Sequence, residues 1–129
     1  MKQDILNFGL ERFPNATPSS QSAKVREEVE EMYREVPYTT KWWYERADVY
    51  IASVHGEERF NLPMCRFIVE SLENGDDFDE LKYYIKSKMV INKKRTWKGN
   101  KHVTEKNIIK RINYKTGEII EEKINVKNI

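Results

Sequence analysis

The feature that most constrains this chain is a pair of acidic signatures, Glu28-x-x-Glu31 and Glu45-x-x-Asp48, with 13 residues between them. Residues three apart lie on one face of a helix, with about 5–6 Å between their Cβ atoms. Two antiparallel helices can therefore bring both pairs of carboxylates together. Like charges about 4 Å apart repel by roughly 4 kcal/mol at an effective dielectric of about 20. Carboxylates that converge in this way favour a bound cation, and ligation by oxygen alone suits Mg²⁺ or Mn²⁺.

The sequence pattern places both signatures on helices. Apolar spacing and proline positions predict five helical segments, over about residues 5–13, 18–35, 40–56, 64–72 and 78–95. After them, β-branched residues over 108–114 and 118–126 flank Lys115-Thr116-Gly117, which predicts a hairpin turn. We therefore expect an all-α helical bundle with a short C-terminal β-hairpin appendage.

Composition indicates one globular domain. With 129 residues, 34% of them charged and 39% apolar, the chain is long enough to bury a single core. No stretch approaches the roughly 18 apolar residues of a membrane helix, and the first residues lack the apolar region of a signal peptide. The single cysteine, Cys65, stands close to Met64 and Phe67, which predicts a buried thiol in a reducing compartment. We therefore expect the protein to be located in the cytoplasm.

The acidic signatures also have a simpler interpretation. Glu27, Glu28, Glu30 and Glu31 can form a solvated acidic run that binds nothing. The second pair argues against it, because Asp48 shares a helix face with Ala52, and a carboxylate on a mostly apolar face is costly unless it is paired or metal-bound. Zinc-ligand spacing, a phosphate-binding glycine loop and a nucleophile elbow are absent from the sequence. The sequence therefore favours metal-assisted chemistry over these other kinds of site.

Positive charge accumulates at the C-terminal end. Residues 1–81 hold 9 Lys/Arg and 17 Asp/Glu, a net charge of −8, and residues 82–129 hold 14 Lys/Arg and 4 Asp/Glu, a net charge of +10. This suits a nucleic-acid-binding region. It equally suits the anion-binding half of a site whose other half holds metal. The charge asymmetry alone does not distinguish these two functions.

The last predicted helix carries a row of hydrogen-bond donors. At helical spacing, the apolar stripe of Leu81 and Ile85 is continued by Lys88, Asn92 and Arg95. A core-facing row of this kind fits phosphate oxygens. The alternative is that the helix leaves the bundle and the row is solvated. Trp97 follows and can either stack on a base or pack on the bundle edge.

Together these residues resemble the MazG-like all-α nucleoside triphosphate pyrophosphohydrolases, in the phage and bacterial branch often described as dATP/dGTP pyrophosphohydrolases. The resemblance covers roughly residues 3–98, with 99–129 as a basic C-terminal β-hairpin extension. Residues 56–77 hold an extra helical segment, and residues 100–129 have no place in the family pattern. The segments that carry the resemblance are Phe13-Pro14-x-Ala16-Thr17-Pro18, Lys24 to Met32, Glu45-Arg46-Ala47-Asp48-Val49 and Lys88-Met89-x-Ile91-Asn92-x-x-Arg95-x-Trp97.

The resemblance implies a four-helix bundle unit that forms a homodimer or homotetramer. It also implies hydrolysis of a dNTP to the monophosphate and pyrophosphate by attack of water on the α-phosphorus, in the host cytoplasm if a phage encodes the chain. One or two Mg²⁺ (or Mn²⁺) would bridge the triphosphate. The roles it implies are metal ligation by Glu28, Glu31, Glu45 and Asp48, orientation or deprotonation of water by Glu27 or Glu28, and substrate binding by Lys24, Lys88, Asn92, Arg95 and Trp97.

Other functions fit the same sequence. Within the class, dUTP or dCTP can replace the purine substrates, because the sequence holds no readable code for the base. A nucleic-acid-binding module would use the basic region from Lys82 onward together with Trp97, and leaves the acidic pairs unexplained. A third hypothesis is a catalytically silent helical interaction protein in which the acidic pairs are a metal-dependent structural staple.

Overall fold

The computed structural model describes residues 1–94, 108–112 and 119–123. Five helices form the body of this described part: α1 (Lys2–Arg12), α2 (Pro18–Tyr33), α3 (Thr40–Phe60), α4 (Pro63–Glu73) and α5 (Phe78–Lys94). The all-α class predicted from the sequence is confirmed. Among the described helices, none is both long and apolar enough to cross a membrane.

Side-chain caps fix where the two acidic helices begin. Thr17 Oγ1 accepts a hydrogen bond from the Ser20 amide at 3.0 Å, and Ser20 Oγ accepts one from the Thr17 amide at 2.8 Å. This reciprocal capping box, with Pro18 in the first turn, starts α2 where the sequence predicted. Thr39 Oγ1 accepts from the Trp42 amide at 3.3 Å and caps α3. The caps therefore fix the first residue of each helix that carries an acidic signature.

The predicted end of α3 at Gly56 is wrong. The helix continues to Phe60 and ends at Asn61, which has a left-handed backbone with φ of 53°. Gly56 lies inside the helix, at a position where a Cβ atom would collide with Sγ of Cys65 on α4. The glycine allows α3 and α4 to pack closely and does not terminate the helix. Cys65 is fully buried, as predicted.

Helix α3 is the centre of the fold and contacts each of the other four helices. Its most extensive partner is α2, and the two run antiparallel. Gln21 near the start of α2 donates to the Ala52 carbonyl in the second half of α3 at 2.8 Å, whereas Glu31 near the end of α2 lies beside Glu45 in the first half of α3. The largest fully buried side chains of the core are Tyr50, Ile5, Leu81, Ile85, Val25, Val54 and Val69.

Two short strands are described beyond the helices. The strands β1 (Ile108–Ile112) and β2 (Ile119–Lys123) pair antiparallel, with Ile108 opposite Lys123 and Ile112 opposite Ile119. The predicted turn at Lys115-Thr116-Gly117 lies outside the described residues. The hairpin as a whole therefore stays a prediction.

Candidate metal centre

Three carboxylates from two helices meet at one point. One oxygen each of Glu28 and Glu31 on α2 and of Glu45 on α3 lie within 4.8 Å of one another. We refer to these three side chains as the carboxylate cluster. The antiparallel packing of α2 and α3 creates it, since the end of one helix lies beside the first half of the other. At this spacing one small cation can be reached by all three groups.

The carboxylate cluster holds two buried oxygens without a hydrogen-bond donor in the described part of the chain. They are Oε2 of Glu28 and Oε2 of Glu45. Glu28 is only 8% exposed, and its other oxygen, Oε1, pairs with Lys24 Nζ at 3.1 Å. A buried acceptor without a partner costs about 1–3 kcal/mol, and more when it is charged. A divalent cation would satisfy both oxygens, so the residues fit a hard metal ion.

Mutual repulsion and burial shift the protonation of the carboxylate cluster. The pKa of Glu45 rises to about 7, mainly because the carboxylate is partly buried, and also because Asp48, Glu31 and Glu28 are near; Lys88 opposes the rise. The pKa of Glu31 is also raised, by burial and then by Glu28 and Glu27. Without a cation, Glu45 therefore begins to take up a proton as the pH falls below about 7.

Asp48, the fourth predicted ligand, lies next to the carboxylate cluster and has a lysine partner. Its Oδ2 is 3.2 Å from Nζ of Lys88 on α5. Lys88 is 3% exposed, so this is an ion pair in the interior. The three oxygens that meet within 4.8 Å do not include one from Asp48. The structure thus brings three of the four predicted acids together and places the fourth against an ammonium group.

The described members of the α5 donor row face the core. Lys88 and Asn92 are 3% and 8% exposed, on the same side of the helix as buried Leu81 and Ile85. The alternative of a solvated row is therefore wrong for these two residues. Asn92 Oδ1 is buried without a hydrogen-bond partner among the described residues. The remaining two candidates, Arg95 and Trp97, lie outside the described residues.

Lys24 and Glu27 lie at the rim of the carboxylate cluster. The Lys24 side chain is about half exposed. Partial burial of its ammonium opposes ionisation, but the pKa of Lys24 is raised because the attraction of Glu28, with smaller effects from Asp48 and Glu27, outweighs burial. Glu27 is exposed, as is Glu30. The acidic run is therefore divided, with two glutamates in solvent and two, Glu28 and Glu31, in the cluster.

An aromatic cluster stands beside the Lys88–Asp48 pair. Tyr84 on α5 stacks on Trp43 with 5.4 Å between ring centroids and 7° between planes, and it meets Tyr44 edge-on at 5.2 Å. Lys88 Nζ lies 6.0 Å from the centroid of Tyr44. Trp42 and Trp43 are both buried and contact each other. Tyr84 was not among the predicted site residues, although it precedes buried Ile85 on the same helix.

His55 is a core residue. Its ring packs against Gly9 of α1, and its Nε2 is 3.3 Å from Nη1 of Arg59. Burial, and then the charge of Arg59, lower the pKa of His55 to about 4. His55 is therefore a buried residue of the helical core and lies outside the carboxylate cluster.

Comparison with known proteins gives no match to any family model, to any curated protein or to any solved structure. The resemblance to the pyrophosphohydrolases therefore rests on the residues quoted for it.

Proposed function

We propose that this chain is a Mg²⁺-dependent, MazG-like nucleoside triphosphate pyrophosphohydrolase of the cytoplasm. It would convert a dNTP, with dATP and dGTP as the first candidates, to the monophosphate and pyrophosphate. One observation carries the proposal: two helices present converging carboxylates, and two of their buried oxygens, on Glu28 and Glu45, have no donor among the described residues. Such a site is costly to the folded protein unless a cation occupies it.

The type of ligand atom indicates which metal ion the site would bind. The carboxylate cluster offers oxygen atoms alone, from Glu28, Glu31 and Glu45, with Asp48 adjacent. Hard oxygen ligands suit Mg²⁺ or Mn²⁺, which retain positions for water and for phosphate oxygens. When bound, the metal supplies charge neutralisation for the triphosphate and lowers the pKa of coordinated water. Protein carboxylates alone would repel a triphosphate.

Glu27 or Glu28 would accept the proton of the attacking water. Glu27 is exposed beside the cluster and Glu28 is within it, so either can orient a water molecule and accept its proton. The water oxygen would form a bond to the α-phosphorus as the bond from that phosphorus to the bridging oxygen breaks. Pyrophosphate then leaves with the electron pair of the broken bond, and the monophosphate carries the new oxygen.

The cationic side of the site would hold the phosphates. Lys24 at the rim and Lys88 in the interior each pair with one of the acidic groups, Glu28 and Asp48 respectively. Lysine ammonium groups and the Asn92 amide can donate to phosphate oxygens. Arg95 and Trp97 stay candidates from the sequence for a phosphate contact and a base contact. Assembly as a homodimer or homotetramer belongs to the proposal on the strength of the resemblance alone.

The test is a product analysis with a matched pair of variants. Purified protein is incubated with each dNTP and rNTP plus Mg²⁺, and the products are separated by chromatography. We expect monophosphate and pyrophosphate from at least one nucleotide, loss of turnover with EDTA, and a loss of at least about 100-fold in Glu28→Gln. Glu30→Gln is the control, because Glu30 is exposed on the same helix.

Two results would overturn the proposed function. One is the absence of turnover with every nucleotide. The other is equal activity of Glu28→Gln and Glu30→Gln. Absence of turnover combined with salt-dependent binding of oligonucleotides that Glu28→Gln leaves unchanged would support the nucleic-acid-binding alternative.

A further inference from the structure

The ion pair between Lys88 and Asp48 joins two helices inside the protein. Nζ of Lys88 on α5 is 3.2 Å from Oδ2 of Asp48 on α3, and the side chains are 4% and 19% exposed. Taking two charges out of water costs free energy that their attraction repays only in part. A pair of this kind beside an acidic cluster therefore calls for a role other than stability.

Asp48 is close to the carboxylate cluster without belonging to it. It stands three residues after Glu45, on the same face of α3. Among the neighbouring charges, Asp48 has the largest effect on the pKa of Glu45, and Lys88 is the charge that opposes it. Both partners of the ion pair are thus within electrostatic reach of the place where a cation would bind.

We propose that Lys88 is a positioning residue that holds Asp48 as a reserve ligand. In the metal-free protein Asp48 pairs with Lys88, and in the metal-loaded protein Asp48 turns to the carboxylate cluster as its fourth acidic side chain. The Lys88 ammonium then loses an anionic partner and can donate to a phosphate oxygen. This inference rests on the metal site of the proposed function.

The position of Lys88 makes the exchange useful. The lysine is buried, and its helix is anchored by Leu81 and Ile85, which are fully buried. An ammonium held there lies in a region of low dielectric, where an anion is attracted more strongly than in water. Metal binding and phosphate binding would consequently favour each other, and this coupling must be equal in both directions.

Calorimetric titration with Mg²⁺ tests the exchange in four forms of the whole chain: wild type, Lys88→Gln, Asp48→Asn and the double variant. We expect Lys88→Gln to bind Mg²⁺ about tenfold more tightly, because a nearby positive charge is gone and Asp48 no longer has to leave the Lys88 ammonium. Asp48→Asn should bind about tenfold more weakly, and in its background the Lys88→Gln gain should shrink. Lys93→Gln is the control, since Lys93 is exposed on the same helix and pairs with Asp4.

A measurement on the wild type covers the case in which Lys88→Gln does not fold. The ¹⁵N signal of the buried Lys88 ammonium is followed by NMR as Mg²⁺, and then inorganic pyrophosphate, are added. We expect the signal to shift with Mg²⁺, and pyrophosphate to bind at least about tenfold more tightly with Mg²⁺ present than with EDTA.

The outcomes separate the two proposals. If wild type binds Mg²⁺ and hydrolyses nucleotides, but Lys88→Gln and Lys93→Gln have the same affinity or the Lys88 signal does not move, the inference is overturned and the proposed function stands. If wild type binds no Mg²⁺, both are overturned.

Discussion

Replacement of Glu45 by glutamine should stabilise the metal-free protein at pH 8. Folding raises the pKa of this carboxyl from 4.5 to about 7, chiefly through burial and the nearby charge of Asp48. Above pH 7 the group is ionised in both the folded and the unfolded state, and the folded state bears the full cost of the buried charge. Below about pH 4.5 it is protonated in both states and the cost vanishes. Glutamine removes that charge at every pH.

The size of the effect follows from the shift. A difference of about 2.5 pKa units at about 1.36 kcal/mol per unit gives an upper bound of about 3.4 kcal/mol. Because Glu45 is only partly buried, solvent screening reduces the expected gain to about 1–2 kcal/mol. The advantage of Glu45→Gln over wild type should therefore grow as the pH rises from 4.5 to 7 and then level off.

Urea unfolding in EDTA, followed by circular dichroism at pH 5 and pH 8, measures this difference. Glu30→Gln is the control, because Glu30 is exposed and should show no such pH-dependent gain. Excess Mg²⁺ should reverse the order at pH 8, since a ligand that binds only the folded state stabilises it according to its affinity. A Glu45→Gln protein that is less stable than wild type at pH 8 in EDTA, or a gain that does not depend on pH, would show that the buried charge of Glu45 does not destabilise the folded protein.

Two further outcomes are expected. Mg²⁺ affinity, measured by calorimetry, should fall about tenfold per pH unit below pH 7, and binding should release a proton. The reason is that the metal must displace the proton that the carboxylate cluster holds at low pH. Equal affinity at pH 6 and pH 8 would contradict this expectation. Gly9→Ala should lower the free energy of unfolding by about 1–3 kcal/mol, because the new Cβ would lie 2.8 Å from three ring atoms of His55. The same change should cost much less in a His55→Ala background, and an equal cost in both backgrounds would argue against the contact.

Local sequence signals were sufficient to predict the helices. Proline and threonine start α2 through a cap that needs residues 17–20 alone, so the start could be read from the sequence. Gly56 misled the prediction because its role depends on Cys65 of another helix. Helical periodicity has no access to a contact of that kind.

The same limit applies to the site. Periodicity correctly placed Lys88 and Asn92 on the buried face of α5. It could not predict that Asp48 pairs with Lys88. The face on which a side chain lies follows from its position in its own helix, whereas this pairing depends on the relative axial position of α3 and α5. The pattern therefore predicted which of the described side chains on α5 face the core, but not which groups they pair with.

The proposed reaction is hydrolysis of a nucleoside triphosphate at the α-phosphorus. The most direct measurement is turnover in ¹⁸O-labelled water with Mg²⁺ and the nucleotide that the protein consumes, followed by mass spectrometry of both products. We expect one ¹⁸O atom in the nucleoside monophosphate and none in pyrophosphate. Label in pyrophosphate, release of inorganic phosphate in place of pyrophosphate, or no turnover of any nucleotide would contradict it.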